Sequence, residues 1–575
     1  MKNITRTQWL HVILQVCLCF NMTAKLQAQD IEHMIKSRPV SFSGSLDVTT
    51  AFYNASGIPG RYLPFNYYIS GSPVLTVYGM QIPFSFIIGK QQSSYMQPFN
   101  QFGLSPSYKW ITVHAGYRNL NYSPFTLAGH TFLGAGIELR PGKFRFSAMY
   151  GQFNKATPLD TTQSLYFNNF SYKRTGMAAS IGLGTDNSFF DLIVLKAKDD
   201  PSSIKAGMKG LADSSGISPA ENTVTGYNTR ISIWKQRLVF ESNGALSLYT
   251  NDINATAIAD SNFDKTTSKL RGITRINSSS ALYSAIQASI RYKTKFFSLR
   301  LQYMRIDPGF QSMGAYFLNN DLENYTVAPA FTGWKNKLRF SGSLGIQRDN
   351  LLNNKRAGSR KVIGSANISA DLTTRFGVDL SYSDYSMNQS VKTIRFADSL
   401  RLVQSNRQLS FTPRYLITGT SLSHSIMFSA NICQAKEVNP TVADSLNGDI
   451  NTNNYILNYQ LSFIQQAASA FISLNHTQMK SNMLTDQNMG VTLGVSKAWQ
   501  NGKLNLSASG GYLLGRRNDE KSTILNGSLQ CRYRFHNRHS LHLSAYYTGN
   551  KPDHSSASYP QYSEIRSEAG YSLSF

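Results

Sequence analysis

The sequence predicts an all-β chain, a single large transmembrane antiparallel β-barrel of about 24–26 strands with short turns at one end and longer loops at the other. Three observations carry that expectation. Charged residues make up only 15% of the 575 positions, while Tyr (31), Phe (33) and Gly (41) are abundant, and soluble domains usually carry about 25% charged residues. No apolar run of roughly 20 residues follows residue 20, so the chain offers no membrane helix. From about residue 280 to the end, apolar and polar residues alternate with the period of two imposed on a strand that has lipid on one face and water on the other.

The N-terminus precedes this pattern. Lys2 and Arg6 flank a short apolar core over 9–20, and Leu26-Gln27-Ala28 supplies a small-residue cleavage site. Residues 1–28 are therefore expected to be a cleaved signal peptide, 29–39 a short N-terminal segment and 40–575 the barrel. Removing Lys2, Arg6 and Lys25 lowers the net charge of +25 by three. Cys17 and Cys19 would leave with the signal, and neither follows the small residue that a lipoprotein signal needs.

Strands then follow in order. Residues 40–154 supply about seven and residues 171 to the end about 19. Phe297, Leu299, Leu301 and Tyr303 alternate with Ser298, Arg300 and Gln302. Leu338, Phe340, Leu344 and Ile346 alternate with Arg339, Ser341 and Ser343. The same rhythm runs through Leu409, Phe411 and Tyr415, through Leu504, Leu506 and Tyr512, and through Leu525, Leu529, Tyr533 and Phe535. Short turns fall near 140–143, 293–295, 334–336, 500–502 and 536–538. Longer polar loops fall near 199–222, 251–279, 307–322, 349–360, 389–404, 436–452 and 550–561. Strands of about 10–14 residues are too long for soluble sandwiches, whose strands average 5–6.

Side-chain roles follow from register. Arg300, Arg339, Arg414, Arg532, Arg534 and Arg566 alternate with apolar neighbours and so are assigned to the lumen, where unpaired charge would favour anions. Asp371, Asp379 and Glu568 are their candidate partners, and pairing would cancel the field. Cys433 is placed in the lumen and Cys531 on the lipid face, which argues against a disulfide. No CxxC pair or Cys/His cluster supports a metal site, and no cofactor motif occurs. His424 and His476 fall on lipid faces and His542 on the lumen face. None comes with a catalytic signature, so no catalytic residue is assigned and the chain is not expected to be an enzyme. No nucleic-acid motif accompanies the pI of 9.7. Asp199-Asp200-Pro201 marks a loop start. Asp444, Asn447, Asp449 and Asn451 have the oxygen content of a calcium loop but lack its spacing and closing Glu. Residues 105–153, rich in aromatics and Gly, fit either an inward-folded constriction or kinked wall strands. The wall is the favoured reading, because 140–143 makes a tight turn and Phe144, Phe146 and Ala148 alternate beyond it.

The last segment places Ile565, Ala569, Tyr571, Leu573 and Phe575 on one face, and the sequence given ends on Phe575. This resembles the terminal β-signal of bacterial outer-membrane β-barrel proteins. The resemblance implies an outer-membrane location, with turns in the periplasm and loops outside, and assigns Tyr571, Leu573 and Phe575 to recognition by the barrel assembly machinery. It also implies lipid and lipopolysaccharide as surroundings. The functional expectation is a porin-like or transport channel for small polar or anionic solutes. The alternative is a structural, assembly or export component that binds a partner protein. A barrel of this width needs something in its lumen, either inward loops, residues 105–153, or a plug or lipoprotein partner.

Overall fold

A computed structural model describes residues 40–77, 80–89, 101–157, 171–204, 218–257, 274, 276–315, 319–354, 357–391, 403–437, 449–556 and 559–575. The expected signal peptide, the 29–39 segment and most of the calcium-like loop lie outside the described residues.

Alternation in the sequence becomes one continuous sheet in which every strand pairing is antiparallel. The 29 strand segments among the described residues form 26 wall strands, because three wall strands are each broken in two, at Gly44, at Ser72-Pro73 and at Ser105-Pro106. The breaks share a physical cause. Pro cannot donate to a ladder, and Gly44 adopts φ +140 where an added Cβ would lie 2.5 Å from the Ser72 carbonyl oxygen. Seven wall strands precede residue 155 and 19 follow residue 172, matching the pattern count.

The sheet closes. Strand Ser45–Ser56 pairs with Tyr562–Ser574, with Leu46 opposite Leu573 and Val48 opposite Tyr571. Two backbone bonds extend the seam, Gly44 N to Phe575 O at 2.9 Å and Phe575 N to Gly44 O at 3.0 Å. A bilayer requires this closure, since an open edge would leave a row of backbone groups without partners in hydrocarbon.

Long strands in the second half, such as Phe376–Val391 and Glu520–His536, are joined alternately by short turns and longer connections. The turns expected near 140–143, 293–295, 334–336, 500–502 and 536–538 are found at 140–143, 294–296, 334–337, 500–503 and 537–538, all at one end of the barrel, here the turn end. Two connections at the opposite, loop end are also tight, 482–484 and 518–519. Asp200 accepts a hydrogen bond from Ser202 N at 2.9 Å and starts the short 3-10 turn Pro201–Ser203, as the Asp-Asp-Pro signal suggests.

The outward face is apolar. Leu344 (61% exposed), Leu529 (50%) and Val495 (59%) stand uncovered on it, an arrangement that suits lipid and not water. This register predicts a contrast. Leu529→Arg should cost about 2–4 kcal/mol near the midplane, and Ser507→Arg, on the opposite face, should be close to neutral. Urea titration of each variant refolded in lipid vesicles measures both. Equal losses would mean that the assigned register is wrong, and a reversed contrast would mean that it is shifted by one residue.

Candidate functional site

The lumen is where the polar faces of all strands meet, and its two halves differ. Apart from Tyr53, every fully covered apolar side chain among the described residues lies between Leu120 and Leu322. The reason is two loops that leave the loop end and fold into the barrel. Residues 120–130 and 307–315 meet through Ala128 N to Gly314 O (2.9 Å) and Ser312 Oγ to Thr126 O (2.5 Å). Phe125 and Phe310 pack edge to face with centroids 6.1 Å apart.

This plug rests on an inner wall that the sequence made apolar for it. Over residues 192–195 the strand Ser188–Asp200 is apolar on both faces: Leu192 and Val194 face lipid, while Ile193 and Leu195 are covered on the inside. Leu127, Met313 and Phe310 join Leu195 and Val224 in one apolar cluster. Polar anchors fix its position. Asn222 Oδ1 accepts from Met313 N at 3.0 Å, Asn228 Nδ2 donates to Tyr122 O at 3.1 Å, and Ser247 Oγ donates to Gln311 O at 2.6 Å. Burial pushes the Tyr122 phenol up to about 12, so it stays neutral, and its oxygen accepts from Ser147 Oγ at 2.8 Å.

Residues 105–153 therefore combine both expected forms. Ile111–Asn119, Thr131–Leu139 and Phe144–Asn154 are wall strands, with the 140–143 turn in place. The favoured plain-wall reading is corrected for 120–130, which folds inward. Apolar residues there have neither lipid nor water to face, only the inner wall.

From about residue 338 onward the lumen face is mostly Ser, Asn, Gln, Thr and charged residues, and no apolar side chain there is fully covered. The six arginines assigned to the lumen alternate in their strands with exposed apolar residues, and they are not alike. Arg339 binds Asp371 at 3.3 Å, and Arg414 bridges Asp371 and Asp379. Arg566 pairs with Glu568. For these three the expected carboxylate partners, two residues away or on nearby strands, are in place, and such pairing cancels the field. Arg300, Arg532 and Arg534 have no acidic partner among the described residues, and the Arg300 Nε is buried without a hydrogen bond. Arg291 lies directly across from Arg300 and is likewise without such a partner. Phe297–Ile306 and Glu520–His536 are the 13th and 24th wall strands, so these charges face one another across nearly the full width of the barrel.

Other lumen charges brace the wall. Arg145 grips Asp191 through two bonds, 2.9 and 3.2 Å, and Arg174 grips Asp199 at 2.8 and 3.1 Å. Ser105 Oγ lies 2.8 Å from His114 Nδ1, and His114 Nε2 lies 3.1 Å from Glu138. A hydrolytic triad has its Ser on Nε2 and its acid on Nδ1. The exchanged nitrogens fit a tie between the broken strand and its neighbours. Cys433 and Cys531 are free thiols, on strands where Gln408 and Leu506 are their respective neighbours.

Tyr571, Leu573 and Phe575 sit at the closing seam. Phe575 stacks on Phe42 at 4.4 Å, and the Tyr571 hydroxyl lies 2.7 Å from His539 Nδ1.

No family model matches this chain, and no curated protein matches it. Among solved structures it is similar to the PapC translocation pore of the P pilus usher, at 8% identity over 93% of this chain and 100% of that one, TM-score 0.37. It is also similar to the copper transporter OprC (10%, 93% and 80%, 0.38). The FrpB iron transporter of Neisseria meningitidis gives comparable values (10%, 95% and 83%, 0.34). The chain's own strand pairing is that of a single closed, all-antiparallel β-barrel.

Proposed function

We propose that this protein is an outer-membrane channel for small polar solutes, with a preference for anions, narrowed by a plug made of its own loops. The single observation that carries the reading is the division of the lumen. One half of the inner wall is apolar and covered by residues 120–130 and 307–315, and the other half is polar and uncovered among the described residues. A solute would pass along the polar half. There it meets Arg532 and Arg534, with Arg291 and Arg300 facing them from the opposite wall; no described carboxylate offsets these four charges, and such charge biases a water-filled pore toward anions. On this reading the turn end faces the periplasm, lipopolysaccharide surrounds the loop end, and the assembly machinery inserts the chain through its last strand.

Reversal potential in a salt gradient across a planar bilayer tests the proposal. The purified protein should conduct and favour anions, and changing Arg291, Arg300, Arg532 and Arg534 to Gln should remove most of that preference. The neutral double change Arg339→Gln/Asp371→Asn should leave it nearly unaltered, because a pair of opposite charges is removed together. A silent barrel with a tightly co-purifying protein would instead support an assembly or export component.

A further inference from the structure

The turn end of the barrel is strongly basic, whereas the segments that join strands at the loop end carry nearly equal numbers of basic and acidic residues over the full sequence. Among the described residues, the turn-end connections carry eleven basic side chains and one acidic one, Asp186. The tryptophans share this asymmetry. Of the five in the chain, Trp9 lies outside the described residues, and Trp110, Trp234, Trp334 and Trp499 all stand at the turn end.

Each of these tryptophans is exposed and has a basic residue beside it. Trp234-Lys235-Gln236-Arg237 and Trp334-Lys335-Asn336-Lys337 form two turns of the same design, with Trp234 65% and Trp334 70% exposed. The Lys497 ammonium lies 5.3 Å from the Trp499 ring centroid, and Lys295 lies 5.4 Å from that of Phe296. Backbone geometry shows that turn formation alone does not explain these residues. Trp234, Lys235 and Gln236 have φ of 52, 54 and 67, and Trp334, Lys335 and Asn336 have φ of 53, 54 and 71. Gly is the residue that takes this left-handed region without cost, and bulky residues held there signal a demand beyond the turn.

We propose that the turn-end rim is a binding collar for anionic phospholipid headgroups. The tryptophan rings would sit at headgroup depth beside the apolar band, as indole rings do at membrane interfaces. The lysines and arginines next to them would contact lipid phosphate and acidic headgroups, where basic residues gain from the negative surface. Charge complementarity selects this occupant, and the neighbouring lipid-facing residues, such as Ile233 before Trp234, place the collar against the bilayer. The inference rests on the turn end being the periplasmic end, as proposed above, and its test does not depend on conductance.

Tryptophan fluorescence reads the collar directly. In the Trp9→Phe chain every tryptophan belongs to it. That protein is refolded into phosphatidylcholine vesicles doped with the same small fraction of brominated phosphatidylglycerol or brominated phosphatidylcholine. The brominated anionic lipid should quench about twofold or more strongly, and the difference should shrink at 1 M salt, where screening acts within a few ångströms. Adding Lys235→Gln, Arg237→Gln, Lys335→Gln and Lys337→Gln should reduce it substantially without loss of heat-modifiable folding. Equal quenching by the two lipids overturns the proposal and would leave the basic rim to a soluble acidic partner. A lipid preference that survives the four changes overturns it as well.

Discussion

Replacing residues 121–129 with a two-residue Gly-containing link should give a folded barrel whose conductance rises several-fold. The flanking strands Ile111–Asn119 and Thr131–Leu139 pair up to Asn119 opposite Thr131, so a tight hairpin can join them without disturbing the wall. What disappears is one half of the plug, including Phe125 and Leu127, and with it the surface that holds residues 307–315 in the lumen. A milder change tests the same contact. Gly314 lies so close to the wall and to the partner loop that an added Cβ would be 2.3 Å from Leu195 Cδ1 and 2.6 Å from Thr126 O. Gly314→Leu should therefore force the two loops apart and raise conductance in a full-length chain. Leu127→Ala should act in the same direction, at a cost of about 2–5 kcal/mol to plug packing. Single-channel recordings on the three variants give the answer. Unchanged conductance in the folded deletion would show that the loops do not restrict the path. A deletion that cannot fold would show that the wall depends on them.

Changing Tyr571, Leu573 and Phe575 together to Ser should reduce assembled barrel on the order of tenfold or more, through loss of edge recognition and of the seam. The apolar face of the last strand meets lipid, and it lies beside Leu46 and Val48 of the first strand. Phe575 adds its stack on Phe42 and the two backbone bonds to Gly44. Serine keeps the backbone pairing but removes the apolar face that, on the proposed reading, lipid and the assembly machinery recognise. The matched control is Ser572→Ala/Ser574→Ala on the lumen face, which should assemble normally. Heat-modifiable migration of membrane fractions measures both. Equal assembly of the triple variant and its control would remove these three residues from the signal.

Strand number, register and the outward band were legible in the sequence because they rest on local physics. A period of two puts Leu525, Leu529 and Tyr533 on one face and Ser528, Gln530 and Arg532 on the other whatever lies across the barrel, and the bilayer then requires closure. The lumen was only half legible. Asp191-Leu192-Ile193-Val194-Leu195 breaks the alternation, and a strand apolar on both faces says that something covers its inner side. It does not say what. The cover comes from residues 120–130 and from 307–315, about 65 residues before and 115 residues after that strand, and only the closed wall brings the two loops together over it. The same holds for the arginines. Alternation sent all six inward, but whether each carries free charge depended on cross-strand neighbours. Arg414 reaches Asp379 and Asp371, which lie 35 and 43 residues earlier in the chain, whereas Arg300 is placed opposite Arg291 and Ala328. Facing is set by the covalent geometry of a single strand, and pairing and covering are set by which distant strands and loops become neighbours when the sheet closes.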